Sequence, residues 1–93
     1  MVKRKTNQEK NPSQIQSEKQ FSLILHNDDV NTFDFVIKTL VEVCHHNEIQ
    51  AEQCAIIAHY KGKCDVFSGT LSQIEPMFSG MIVKGLTVTM EEL

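Results

Sequence analysis

Within two dozen residues the chain changes its hydrophobic period, and that change dictates its first two elements. Phe21, Leu23 and Leu25 alternate with Ser22, Ile24 and His26, the period of two that marks a strand with one face on a core. Phe33, Val36, Ile37, Leu40, Val43 and Cys44 then recur along one helical face for about three turns. Between them lie Asn27, Asp28 and Asp29, whose short side chains bond nearby backbone and interrupt both kinds of element. Asn31 is the expected N-cap, and Asp34, three residues on, gives something close to a capping box.

The charges in this stretch carry a functional suggestion. No Lys or Arg occurs between Lys19 and Lys38, whereas Asp28, Asp29 and Asp34 fall in or beside one turn. A helix N terminus ordinarily attracts anions through its free N–H groups and its dipole; this one carries its own acids. Spare oxygen acceptors, no internal cation and apolar neighbours suit a small cationic group attached to a hydrophobic body. Spacing alone leaves a plainer alternative open, in which these are turn and cap residues on a solvated loop.

With 93 residues, 41% of them hydrophobic, the chain supports one small core. Its first twenty residues hold five Lys or Arg against two Glu and few aliphatic residues, the composition of a disordered basic extension, residues 1–20. The remainder, residues 21–93, carries four Lys and ten Asp or Glu, and an acidic body argues against nucleic acid as the main partner. Cys44, Cys54 and Cys64 form no CxxC pair, so neither a disulfide framework nor a zinc site is indicated, and a reducing compartment is. With no apolar leader, no membrane-length run and no lipidation motif, the expectation is a chain neither exported nor membrane-bound.

Further along, Gln50 to Tyr60 predicts a second helix whose apolar face, Ala51, Cys54, Ala55, Ile57 and Ala58, is mostly small residues, with Gly62 as its cap. Small residues allow close approach or leave a concavity. Cys64 to Ser68 is a strand candidate. Leu71 to Val83 has a third helical pattern with Thr70 available as N-cap, but Pro76 inside it predicts a kink, or a later start near Glu75 with Pro76 in the first turn. Gly85 closes that helix, and Leu86 to Met90 alternates as a last strand. The order β-α-α-β-α-β predicts an α+β two-layer sandwich, a small three-stranded antiparallel sheet with three helices.

Three of these segments together, His26-Asn-Asp-Asp29, Thr32-Phe-Asp-Phe-Val36 and Ala58-His-Tyr-Lys-Gly-Lys63, resemble the ClpS family, adaptors that deliver N-degron substrates to an AAA+ Clp protease. The likeness covers about residues 21 to 92. It implies a binder of free N termini with a bulky first residue, Leu, Phe, Tyr or Trp, that is a monomer, needs no cofactor, and works in the bacterial cytosol or plastid stroma. By position, Asn27, Asp28 and His59 would hold the α-ammonium and first peptide group. Asp29, Asn31, Phe33, Val36, Ala55, Ala58 and Leu86 would wall the pocket for the first side chain. The implied partner is the N-terminal domain of a ClpA-like or ClpC-like ATPase.

The chain also departs from that pattern. Phe33 stands where many relatives have Met, and Ala55 and Ala58 are smaller than the usual Met and Val, which predicts a reshaped pocket. Thr70 and Glu75 occupy places where relatives use a Glu and a Lys to dock the unfoldase.

The residue types suit the implied chemistry. An α-amino group, mostly cationic near neutrality, requires acceptors, and an Asn carbonyl oxygen, an Asp carboxylate and a neutral His ring nitrogen all accept. Three other readings compete. An enzyme lacks a nucleophile motif or phosphate loop. Metal binding through Cys44, His45, His46 and His59 meets the difficulty that adjacent helical residues diverge by about 100°. A purely structural module would bind no N-terminal peptide.

Overall fold

The alternating segment becomes the central strand of the sheet. The computed structural model describes residues 19–93, so the expected basic extension lies outside the described residues except for Lys19 and Gln20. Strand β1 (Gln20–His26) is followed by helices α1 (Phe33–Cys44) and α2 (Glu48–Lys61), strand β2 (Lys63–Thr70), helix α3 (Leu71–Val83) and strand β3 (Val88–Glu92). The sheet order is β2-β1-β3, with β1 antiparallel to both neighbours. This is the expected α+β arrangement of three strands and three helices.

Burial explains the layering. Leu23 and Leu25 of β1, Val66 of β2 and Val88 of β3 pack with Leu40, Cys44, Ala51, Cys54, Ala58, Ile74 and Met81 from the three helices in one core. Leu23, Leu40, Ile74 and Met81 have no exposed surface; cutting such a side chain back to Ala costs about 2–5 kcal/mol. The alternation understates the burial of β1: Ser22 and Ile24, on the other face, are also only 2% exposed. A central strand sets each of them between two cross-strand neighbours, Ser68 and Glu91 for Ser22, Asp65 and Thr89 for Ile24.

The β1–β2 register shifts between Leu23 and Ile24, which face Phe67 and Asp65. Val66 is the extra residue of this bulge. Its carbonyl oxygen accepts from Nε2 of buried His46 at 2.7 Å, which ties the link between α1 and α2 to the sheet.

Several boundaries differ from expectation. The N-cap of α1 is Thr32, whose hydroxyl accepts from the Phe35 N–H at 3.1 Å, so Asn31 is released for another task. The side chain of Asn47 accepts from the Gln50 N–H at 2.7 Å and caps α2, which starts two residues early. Helix α3 starts at Leu71 and runs through Pro76. A proline there costs about 3 kcal/mol. The earlier start is held by a bond from the Thr70 N–H to Gln73 Oε1 at 2.9 Å and by the complete burial of Ile74, which a start at Glu75 would forfeit. Strand β3 begins two residues late, because Gly85 (φ 86) turns the chain and the Leu86 N–H still bonds back to Met81 O at 3.0 Å.

Candidate functional site

The site is built where β1 ends and α2 ends. Past His26 the Asn27 N–H donates to Gly62 O at 2.9 Å, and Gly62, in the left-handed region at φ 96, donates its own N–H to Ala58 O at 2.9 Å. These two bonds fix the acidic turn against the last turn of α2, which carries His59. A positive φ at this cap is what glycine tolerates.

Asp28 organises the turn. Its Oδ1 accepts from the N–H groups of Val30 (2.9 Å) and Asn31 (2.8 Å), and its Oδ2 accepts from the Asn31 side-chain amide at 3.0 Å. That amide also donates to Gly85 O at 3.0 Å, joining the turn to the loop after α3. Burial works to raise the Asp28 pKa, but the bonds from Asn31 and Val30 together outweigh it and hold the carboxyl below its ordinary 3.8. A carboxylate has about four lone-pair sites, so one, on Oδ2, is left over.

Between these elements lies a cavity of about 360 Å³. Leu25, Phe33, Val36, Ala55 and Ala58 supply its apolar lining, and His26, Asn27, Asp28, Asp29, Asn31 and His59 its polar one. Among the described residues no Lys or Arg lines it. Ala55 and Ala58 are each 4% exposed, so the small face of α2 forms part of the wall. Phe33, the first residue of α1, is 40% exposed and stands edge-on to the His59 ring, with centroids 6.1 Å apart. Such a cleft, mostly apolar with a few converging polar groups, has the character and size of a small-ligand site.

The structure thus brings together nine of the ten residues named for the amine and the pocket. Leu86 is the exception: it is 4% exposed in the core and outside the cavity lining. Leu25 and His26 were not named, although the alternation leads directly to them; His26 Nε2 lies 2.8 Å from Thr89 Oγ1. Thr70 and Glu75 share a second depression of about 420 Å³ with Lys19, Phe21, Leu71 and Ser72, at the other end of β1. Cys44, Cys54 and Cys64 are free and buried. Among the described residues no group of His, Cys, Asp and Glu is placed to hold a metal ion, and no helix is long and apolar enough to cross a membrane.

The family model described as ATP-dependent Clp protease adaptor protein ClpS matches residues 16–89. The chain belongs to the ClpS family. It is 34% identical over 58 residues to the Clp protease adapter protein ClpS of Campylobacter jejuni, an alignment covering 60% of each chain. It is 29% identical over 62 residues to the ClpS of Nitratidesulfovibrio vulgaris, covering 64% of this chain and 62% of that one. The chain therefore spans about 60% of the length of the curated ClpS relatives it matches. Agrobacterium tumefaciens ClpS2, solved bound to L-phenylalaninamide, superposes with a TM-score of 0.75 at 23% identity, covering 82% of this chain and 99% of that one. The fold is therefore that of ClpS2.

Proposed function

We propose that this ClpS-family chain binds the free N terminus of proteins whose first residue is bulky and apolar, and presents them to a Clp ATPase. The observation that carries the reading is the composition of the cavity: an apolar wall from α1 and α2, bordered by acceptors and, among the described residues, without a Lys or Arg. That ClpS2 was solved with L-phenylalaninamide, a free α-amine on an aromatic side chain, supports it.

In this reading the α-ammonium takes the remaining acceptor site of Asp28, the Asn27 side-chain oxygen and a His59 ring nitrogen, and the first side chain lies against Val36, Ala55 and Ala58 under the Phe33 ring. Asn31 positions Asp28 and forms part of the cavity wall beside it. Charge-assisted bonds contribute about 1.5–3 kcal/mol each and the buried side chain about 1.5–3. Against a cost of at least about 4 kcal/mol for lost freedom on association, the affinity expected is no tighter than about micromolar, which suits an adaptor that must release. Leu, Phe, Tyr and Trp are the expected first residues.

Residues 21–93 act as the adaptor core, a monomer that binds the N-terminal domain of a ClpA-like or ClpC-like ATPase in bacterial cytosol or plastid stroma. Docking uses the depression holding Thr70 and Glu75, so that substrate and ATPase meet opposite ends of β1. Fluorescence anisotropy with peptides differing only in first residue tests the reading. Tighter binding of the bulky set than of Ala-first peptides supports it; equal binding of all, or of none, refutes it.

A further inference from the structure

His59 is exposed on the last turn of α2. A polar side chain in that position ordinarily samples several rotamers and loses that freedom when a ligand fixes it, which weakens binding. Here two rings bracket it. Tyr60 stands edge-on at 4.8 Å between centroids and 83°, and Phe33 edge-on at 6.1 Å and 88°; both separations lie in the range aromatic pairs favour.

The two rings differ in what they tie together. Tyr60 is the next residue of the same helix and is 79% exposed, so its contact adds nothing beyond α2 itself. Phe33 belongs to α1, lines the cavity, and is only 40% exposed. Its contact therefore links the imidazole to a wall of the pocket.

We infer that Phe33 is a positioning residue for His59. Its ring holds the imidazole at the cavity rim in one rotamer, so a wall of the pocket for the first side chain also sets the clasp on the α-amino group. A first residue that pushes the Phe33 ring aside then loses the His59 contact as well as fit. The consequence for binding rests on the function proposed above, whereas the positioning is a property of the free chain.

Two measurements on the full chain separate these. NMR side-chain couplings and relaxation of His59 without peptide should report one rotamer in the wild type, averaging in Phe33→Ala, and restored order in Phe33→Tyr. An imidazole as ordered in Phe33→Ala as in the wild type overturns the inference, whatever peptides do. The second is a double-mutant cycle on the Kd of a Phe-first peptide. The loss of affinity on Phe33→Ala should be about two- to tenfold larger in the wild type than in a His59→Ala background, where only the wall contact is lost. Losses that simply add make Phe33 a wall only and overturn the inference. If the wild type binds no free N terminus, the proposed function fails, and the NMR arm alone decides whether Phe33 positions His59.

Discussion

Asp28 and Asn31 hold each other: the Asn31 amide donates to Asp28 Oδ2 at 3.0 Å while its backbone N–H donates to Oδ1 at 2.8 Å. The same amide reaches Gly85 O, so one side chain fixes both the acceptor and the loop after α3. Asn31→Ala should destabilise the chain by about 1–2 kcal/mol, the worth of two such bonds at a half-buried position, and weaken peptide binding several-fold with Asp28 intact. Urea midpoints and anisotropy check this, with Glu52→Ala, exposed and outside the cavity lining, as control. Equal effects at positions 52 and 31 would contradict it.

The lowered pKa of Asp28 fixes the sign of a pH effect. A carboxyl lowered on folding contributes stability that is full above its unfolded value, about 3.9, and is lost as pH falls through the folded value. Asp28→Asn keeps the turn acceptor and removes the charge. The stability difference between wild type and Asp28→Asn should be constant from pH 7 to about 5 and shrink toward pH 2.5. A constant difference across the whole range would contradict the assignment.

Burial pushes the Cys44 thiol up to about 11. Burial, then the hydrogen bond with Cys64 and the neighbouring Cys64 and Cys44, push Cys54 up to about 12. Because the thiolate is the nucleophile, both should resist alkylation at about pH 8 until the chain unfolds. An acid raised on folding contributes stability that is lost as pH rises above its unfolded value of about 8.5. Stability should therefore decline on the alkaline side, and less steeply in Cys54→Ala. Rapid alkylation of the native chain by iodoacetamide would contradict this.

His45 closes α1 at φ 60 and ψ 28, a left-handed conformation costing most L-residues about 1–2 kcal/mol. Glycine adopts it without that cost but gains freedom when unfolded. His45→Gly should raise stability by about 0.5–1 kcal/mol and leave peptide affinity unchanged, since His45 is outside the cavity lining. A lower urea midpoint would contradict this.

How much of this was legible in the sequence depends on the range of the interaction. Period and turn chemistry act over a few residues, so the β-α-α-β-α-β order and the Asn27–Asp29 turn could be read directly. The cap of α1 could not be assigned, because Asn31 and Thr32 are both good capping residues and the choice is made by Gly85, 54 residues away. Pro76 argued against an early start for α3, yet burial of Ile74 and the Thr70–Gln73 bond outweighed local preference. The bulge at Val66 breaks the alternation of β2, which no two-residue period shows, and its partner His46 lies on the link between two helices. Nine residues of the cavity followed from the family resemblance, whereas its edge contact between Phe33 and His59 belongs to this chain's own choice of a ring at position 33.

The central claim is that this cavity takes a free amine and an apolar side chain together. Its most direct test is an amide-resolved NMR titration of the full chain with L-phenylalaninamide and, separately, with N-acetyl-L-phenylalaninamide. Saturable shifts are expected at Asn27, Asp28, Ala55, Ala58 and His59 with the free amine, and none at matched concentration with the acetylated compound. Equal shifts with both, or shifts confined to residues around Thr70 and Glu75, would contradict it.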